Sequence, residues 1–232
     1  VYRKLLAGSG VETFDARATI KDAHTVELST GEGKTAKHNL VATGGRPVRP
    51  DLPNADLGIV SDDIFHLEKL PKSILIIGGG YIACEFACIL QGLGVEVTQY
   101  YRGAQILRGF DDEARGLVAE SMRENGIEIH TGTNIVEMAL EADRGNVDAL
   151  SNSDAAMGAT VNQAGELNRH NEAARQGSQG PIWVKSTNGG EKVFDMVLFA
   201  TGRTPMTQDM GLEDVGVSLG RGQEIEVNEY SQ

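Results

Sequence analysis

At 232 residues, the chain is long enough to bury the core of one large domain or two small ones, and its 40% apolar and 23% charged residues are typical of a soluble globular protein. Its 29 glycines are about 12% of the 232 residues, which exceeds the average glycine content of about 7% and fits an α/β nucleotide-binding fold. The formal net charge of −12 disfavours partners such as nucleic acid or an anionic membrane, so a phosphate site has to be built locally.

The two cysteines, Cys84 and Cys88, lie four positions apart, which matches neither a disulfide framework nor a set of zinc ligands. The five histidines are too scattered for metal binding, so no metal site is predicted. No apolar run approaches the roughly 18 residues of a membrane span, and no signal peptide is recognisable, which favours a cytoplasmic location. The chain begins without Met and stops just after a predicted strand, so we expect both ends to continue in a longer protein.

The first part of the chain alternates short β-prone runs with turn residues. The runs at 11–18, 24–29 and 35–43 are joined by too few residues for a crossover helix, which predicts an antiparallel meander. Prolines at positions 47, 50 and 53 then forbid regular structure and indicate a crossing between domains.

A different pattern begins at Ser73. The apolar run 74–77 is typical of a strand buried on both faces of a parallel sheet, and a helix over 81–93 and a strand over 95–100 complete a βαβ unit. A second helix is predicted over 111–125 and a third strand over 127–129.

The segment 141–180 has almost no large apolar residues and is predicted to be a flexible surface insertion. After it, the runs 182–185 and 193–200 predict a hairpin around the turn at 188–190. The pattern Thr-Gly-x-x-Pro occurs twice, at 43–47 and 201–205, and on sequence alone these are as well explained as plain strand-ending turns.

The motif G-x-G-x-x-A at 78–83 follows a buried strand and opens a helix, which is the context that dinucleotide binding requires. Gly78 permits the tight turn, Gly80 lets the backbone approach a pyrophosphate, and Ala83 allows the helix to pack closely on the strand. The helix N-terminus adds N–H donors and a positive dipole.

The end of the second strand indicates which dinucleotide binds. NAD-binding proteins place an acidic residue there, whereas this sequence has Tyr100-Tyr101-Arg102 and, a little further on, Arg108. Guanidinium groups suit a 2′-phosphate, so NADP is favoured over NAD. The alternative is that the two arginines merely balance Asp111 and Asp112.

These motifs together resemble the flavin-dependent pyridine nucleotide–disulfide oxidoreductases, and within them the glutathione reductase branch. The resemblance is carried by residues 78–87, the two arginines, residues 107–111, Ser61-Asp62 and the two Ala-Thr-Gly motifs at 42–44 and 200–202. It covers residues 1–140 and 181–232.

The resemblance implies roles for individual residues. Tyr81 would be a gate over the flavin that nicotinamide displaces, although an aromatic residue packed in the core is the more common fate of such a residue, and Glu85 would pair with a lysine outside this chain. The implied NADP contacts are Gly78, Gly80, Tyr81, Ile82, Ala83, Glu85, Arg102, Arg108 and Gly202. The implied FAD contacts are Ala42, Thr43, Gly44 and Arg203.

The departures from the family are equally informative. The family's FAD-binding glycine motif, its Cys-x-x-x-x-Cys redox pair and its dimerisation domain with a catalytic His-Glu pair are absent from these 232 residues, and Met206 stands where Asn is common. Cys84 and Cys88 have the wrong spacing and are expected to be small apolar core residues.

We therefore predict an α/β fold: a Rossmann-like NADP-binding domain over 61–200 with a parallel sheet and helices, flanked by partial FAD-binding segments at 1–60, which contain the antiparallel meander, and at 201–232. The parent protein is expected to be a homodimer that passes electrons from NADPH through FAD and a disulfide to glutathione disulfide, while this chain alone is inactive. The alternatives are a mercuric or lipoamide type of reductase, or a non-catalytic dinucleotide-binding module.

Overall fold

The computed structural model describes residues 2–144 and 180–231. Most of the predicted insertion therefore lies outside the described residues. The chain divides into two compact units, one made of Val1–Arg46 with Thr204–Gln232 and the other of Pro47–Arg203. The predicted domain boundaries near 60 and 200 stay a prediction. None of the helices in the described ranges is long and apolar enough to cross a membrane.

The described regular elements are α-helices, 3-10 helices and short strands. The α-helices are α1 (Tyr2–Gly8), α2 (Tyr81–Gly92) and α3 (Asp112–Glu124), and 3-10 helices span Ala55–Leu57, Asp63–His66, Glu141–Asp143 and Glu213–Val215. The strands are β1 (Ala18–Ile20), β2 (Thr25–Leu28), β3 (Gly33–Thr35), β4 (Gly45–Pro47), β5 (Ile59–Val60), β6 (Ser73–Ile77), β7 (Glu96–Tyr101), β8 (Glu128–Thr131), β9 (Ile135–Leu140), β10 (Ile182–Ser186), β11 (Glu191–Phe194), β12 (Met196–Phe199) and β13 (Arg203–Pro205).

A parallel sheet forms the centre of the second unit, with its described strands in the order β5-β12-β6-β7-β8. Ile74, Leu75 and Ile76 of β6 are fully buried, as expected of a strand covered on both faces. The predicted βαβ unit is confirmed, because β6, α2 and β7 follow one another as the apolar pattern indicated.

The two longer helices begin and end where local chemistry favours it. The side chain of Asp111 caps α3 by accepting hydrogen bonds from the backbone N–H groups of Glu113 and Ala114 at 3.1 and 3.0 Å. Gly94 and Gly126 follow α2 and α3 with φ of 86° and 90°, the left-handed conformation that favours glycine after a helix. The second helix is thus confirmed to within a residue of its predicted ends.

A three-stranded antiparallel sheet, in the order β11-β10-β9, packs on one face of the parallel sheet. Met138, Ile182 and Phe194 share a buried cluster with Leu75 and Val197 of the parallel sheet. The predicted hairpin is confirmed for β10 and β11, which pair antiparallel. The prediction that its second strand continues to residue 200 is wrong. The residues of β12 leave the hairpin and pair in parallel with β6, and all four are buried.

The first unit contains the predicted meander in a shorter form, with β1, β2 and β3 paired antiparallel. The run 11–18 is almost entirely irregular, and the helix α1 was not predicted. Gly211 has φ of 70°, and a Cβ atom built on it would lie 2.4 Å from the carbonyl oxygen of Ile20, so the loop after β13 packs directly on β1.

The two Thr-Gly-x-x-Pro segments make equivalent hydrogen bonds, each within its own unit. In the first unit, the Thr43 hydroxyl donates to the Met206 carbonyl at 2.6 Å, and the Met206 amide donates to the Gly44 carbonyl at 2.9 Å. In the second unit, the Thr201 hydroxyl donates to the Val48 carbonyl at 2.8 Å, and the Val48 amide donates to the Gly202 carbonyl at 3.0 Å. The sequence repeat is therefore a repeat of hydrogen bonding.

Candidate dinucleotide-binding site

The glycine turn, residues 78–80, connects β6 to α2. Gly78 has φ of 145°, and a Cβ atom built on it would lie 2.3 Å from the carbonyl oxygen of Ala200, so the turn requires glycine here. The side chain of Gln99, which is fully buried, donates to the Gly78 carbonyl at 2.9 Å and holds the turn from below. Gly80, in contrast, is exposed, and a Cβ atom on it would meet open space.

The N-terminus of α2 is suited to an anion. Gly80 is its N-cap residue and has no side chain with which to cap the helix. The first N–H groups of a helix lack partners within the helix and carry a positive partial charge. The geometry thus combines an exposed glycine backbone with N–H donors, the arrangement that binds the pyrophosphate of dinucleotides.

A cavity of about 570 Å³ opens above the carboxyl ends of the parallel strands. This volume lies within the range of about 300–1,000 Å³ that is usual for small-molecule sites. Five of the predicted nucleotide contacts line it: Gly78, Gly80, Arg102, Arg108 and Gly202. The remaining lining residues are Val48, Pro50, Asp51, Leu52, Ile77, Gly79, Tyr100, Tyr101, Asn134, Ile135, Ala200 and Thr201.

The two arginines are exposed and have no carboxylate partner among residues 2–144 and 180–231. The neighbouring acids are otherwise engaged, since Asp111 caps α3 and Asp112 pairs with Arg115. The alternative interpretation, in which the arginines neutralise these two acids, is therefore not what the structure shows.

The loop that carries both arginines, residues 102–110, is fastened to its surroundings. The Leu107 amide donates to the Gly79 carbonyl at 2.6 Å, and the Arg115 guanidinium donates to the carbonyls of Ile106 and Gln105 at 2.7 and 2.9 Å. Ile106 is fully buried in the core. Packing and hydrogen bonds thus hold the backbone at residues 105–107, directly before Arg108.

A smaller cavity of about 200 Å³ adjoins the other side of the glycine turn and is lined by Tyr81, Ile82, Phe199 and Arg203, among others. Tyr81 is 56% exposed. It is therefore not packed in the core, which is the more common position for an aromatic residue on such a helix. The Arg203 guanidinium lies 3.1 Å from the Asp62 carboxylate and 3.3 Å from the Ser61 hydroxyl.

The other predicted site residues are not among the residues that line the two cavities. Ala83 is fully buried where α2 packs on the sheet, and Glu85, two residues further along the helix, is exposed. Ala42, Thr43 and Gly44 belong to the first unit and are exposed. The structure therefore brings the nucleotide residues of the glycine turn and the arginine loop together, while the FAD contacts stay a prediction.

The cysteines differ from each other. Cys84 is buried, its Sγ lies 3.7 Å from Gln99 Nε2, and burial raises its pKa. Cys88 is exposed, so the expectation that both are core residues is wrong for this one. Positions four apart differ by about 40° around a helix, and this rotation separates buried Cys84 from exposed Cys88, which shares the exposed side of α2 with Glu85. Among the described residues, no group of His, Cys, Asp and Glu could hold a metal ion.

Sequence reasoning did not identify several lining residues, among them Asp51, Asn134 and Tyr101. Asn134 follows β8 at the carboxyl end of a parallel strand, which is where α/β sheets bind ligands. Its place in the sequence could therefore have predicted that it lines the cavity. Asp51 lies in the proline-rich crossing, and its sequence context carries no such signal.

The fold is a Rossmann-type α/β fold, and the cavity has the features of a dinucleotide site. The model of the pyridine nucleotide-disulphide oxidoreductase family matches residues 2–232. The chain is 40% identical over its full length to a glutathione reductase of Burkholderia cepacia and 39% identical to the chloroplastic/mitochondrial glutathione reductase of Pisum sativum, and it covers 43% and 35% of these proteins. Over 99% of its length it is 36% identical to thioredoxin reductase SEP1 of Emiliania huxleyi, of which it covers 41%.

Among solved structures, the HOCl-induced flavoprotein disulfide reductase RclA from Escherichia coli has a similar fold, with a TM-score of 0.72 at 19% identity over 98% of this chain and 44% of that one. The chain belongs to the pyridine nucleotide-disulphide oxidoreductase family. It spans less than half the length of the relatives that it matches.

Proposed function

We propose that the larger cavity binds NADPH and that the chain is the nicotinamide-nucleotide module of a flavin-dependent disulfide reductase. The observation that carries the proposal is that two exposed arginines, with no carboxylate partner in the part of the chain that the structure describes, line the same cavity as the glycine turn. The residues fit the nucleotide, because open backbone at Gly80 and the start of α2 suit a pyrophosphate, while guanidinium groups suit a 2′-phosphate.

Each part of the site has a separate task in this proposal. The glycine turn binds the pyrophosphate, Arg102 and Arg108 bind the 2′-phosphate, and Tyr81 covers the nicotinamide end until the nucleotide enters. The exposure of Tyr81 supports a side chain that can move aside. When bound, NADPH supplies the hydride that reduces a flavin, which we propose to be FAD. Ala42, Thr43, Gly44 and Arg203 are the proposed FAD contacts, and Glu85 is the proposed partner of a lysine.

We propose glutathione disulfide as the substrate of the full-length enzyme, which we expect to be a cytoplasmic homodimer. The higher identity to glutathione reductases supports this substrate over thioredoxin, although both kinds of relative match nearly the whole chain. Because the 232 residues contain no Cys-x-x-x-x-Cys pair, the chain by itself is expected not to reduce glutathione disulfide with NADPH. Turnover by this chain alone would contradict the assignment.

Calorimetric titration of the purified chain with NADPH and NADH tests the nucleotide proposal. We expect the wild type to prefer NADPH, and Arg102→Ala/Arg108→Ala to lose at least about 30-fold in NADPH affinity and less than about threefold in NADH affinity, since each charged contact contributes about 1.5–3 kcal/mol. Arg123→Ala removes an exposed arginine in α3 and serves as the matched control. Equal affinities for the two nucleotides in the wild type would contradict the proposal.

Asp51 provides a second control inside the cavity. An acidic residue could favour NADH by accepting a bond from a ribose hydroxyl, so Asp51→Asn tests whether the carboxylate determines the preference. We expect the NADPH preference to persist in this variant. Circular dichroism on each sample separates a loss of binding from a loss of folding.

A further inference from the structure

The ring of Tyr101, the last residue of β7, is held between two glycines. A Cβ atom built on Gly79 would lie 2.3 Å from Tyr101 Cγ, and one built on Gly103 would lie 2.6 Å from Tyr101 Cε1. Neither contact is possible for a real side chain, so the ring occupies the space that a residue larger than glycine would need at either position. The ring is partly buried against the core, and Tyr101 lines the larger cavity.

The two glycines belong to the two halves of the proposed nucleotide site. Gly79 is the middle residue of the glycine turn, and Gly103 directly follows Arg102 in the arginine loop. The hydrogen bond from Leu107 to Gly79 joins the same two segments at a second point. The ring of Tyr101 is therefore the packed side chain that separates the turn from the start of the arginine loop.

Building on the proposed NADPH site, we propose that Tyr101 is a positioning residue that determines the specificity for NADPH. Its ring sets the distance between the glycine turn and the arginine loop. The pyrophosphate and the 2′-phosphate of NADPH are joined through one ribose, so their separation is limited by covalent geometry, and both subsites must match it within about 0.5 Å to bind together. NADH has no 2′-phosphate and requires only the turn.

Replacement of the ring tests this proposal in the full 232-residue chain. In Tyr101→Val, which suits a strand end, we expect NADPH affinity to fall about tenfold and NADH affinity to change less than about twofold. Tyr101→Phe keeps the ring and is expected to keep the preference for NADPH. If Tyr101→Val loses the circular dichroism signal of the wild type, the larger Tyr101→Leu takes its place. An equal loss for both nucleotides would show a merely structural role and overturn the proposal.

A double-mutant cycle tests the contact itself. Gly79→Ala and Gly103→Ala each place a methyl group against the ring, so we expect each to lower both the melting temperature and the NADPH affinity in the wild type and to have little effect in Tyr101→Val, where the ring is gone. Gly92→Ala, at a position in α2 with no atom within 4 Å of a built Cβ, is the matched control. If the glycine substitutions lower the melting temperature equally in the wild type and in Tyr101→Val, the effects are additive. The proposal that the ring separates the two segments would then be overturned.

The two readouts keep the hypotheses apart. The melting-temperature cycle is measured without nucleotide and reports only whether the ring separates the two segments. The cycle could show coupling between the ring and the glycines while the wild type binds NADPH and NADH equally well. That result would contradict both the proposed function and the role of Tyr101 in specificity. A preference for NADPH that survives in Tyr101→Val would contradict the role of Tyr101 alone.

Discussion

The backbone amide of Leu107 donates a 2.6 Å hydrogen bond to the carbonyl oxygen of Gly79. Leu107 has φ of 57°, a left-handed conformation that costs a non-glycine residue free energy and is maintained here by the surrounding contacts. The bond ties the arginine loop to the glycine turn. The two parts of the site are therefore linked by backbone geometry, independently of the charges on the arginines.

Gly78 and Gly80 are expected to respond in opposite ways to the same substitution. Gly78→Ala puts a methyl group 2.3 Å from the Ala200 carbonyl oxygen at a φ of 145°, so it should destabilise the fold by at least about 2 kcal/mol. Gly80→Ala meets open space and should change the melting temperature little. Its methyl group faces the proposed pyrophosphate site, so NADPH and NADH affinities should fall together, by about tenfold.

Thermal melts and calorimetry on both variants check this pair. The prediction fails if Gly78→Ala folds with wild-type stability, or if Gly80→Ala binds both nucleotides as the wild type does.

Glu128 is expected to make stability depend on pH. The Lys192 ammonium donates to its carboxylate at 3.0 Å, and bonds from His130 and Thr98 add to this, which together lower the pKa of Glu128 to about 2. A carboxyl whose folded pKa is depressed stabilises the fold above its unfolded pKa, about 4.5, and loses that contribution as the pH falls toward 2. Because the side chain is half exposed, the contribution at neutral pH should be about 0.5–1 kcal/mol.

The matching measurement is urea unfolding of the wild type and Glu128→Gln between pH 7 and pH 2. The difference in the free energy of unfolding should be constant above pH 5 and shrink below it. Glu120→Gln, an exposed glutamate of α3, should show no such trend. A difference that is constant down to pH 2 would contradict the assignment of the ion pair.

The free energy of unfolding is expected to depend on the ion pair between the buried carboxylate of Asp63 and Arg49. Asp63 is 2% exposed; it accepts a 2.9 Å hydrogen bond from the Val60 amide and lies 3.7 Å from the Arg49 guanidinium. Arg49→Met keeps the apolar stem but leaves a buried charge with less compensation, so we expect the free energy of unfolding to fall by about 3 kcal/mol. Urea denaturation checks this, with Arg123→Met as the control, and a loss below about 1 kcal/mol would argue against the dependence.

The two cysteines should differ in reactivity. Cys88 is exposed and Cys84 is buried, so a thiol reagent such as 5,5′-dithiobis(2-nitrobenzoate) is expected to titrate one thiol per folded chain and two in denaturant. Burial raises the pKa of both thiols, so the reaction should be slower than that of free cysteine at pH 7. In Cys88→Ser, labelling of the folded chain should disappear. Rapid labelling of Cys84 in the folded state would contradict its buried position.

Local patterns in the sequence were sufficient for the βαβ unit. Four consecutive apolar residues at 74–77, a glycine turn and a helical run have one common arrangement, because burial on both faces and a short crossover leave few alternatives. In contrast, β9 was not predicted, and the residues of β12 were assigned to a hairpin. An apolar run of four or five residues fits either a hairpin or a buried parallel strand, and its partner is chosen by contacts far away in the chain.

The same division holds for the site. The sequence alone determined the family and the glycine turn, and it supplied the two arginines on which the proposal of NADP depends, because these features are residue types at short spacing. Only the tertiary structure decided that Asp51, Asn134 and Tyr101 share the cavity with them and that Asp111 and Asp112 are engaged elsewhere. Such contacts arise where distant segments pack, and packing depends on the shapes of side chains across the whole fold, which no local pattern encodes.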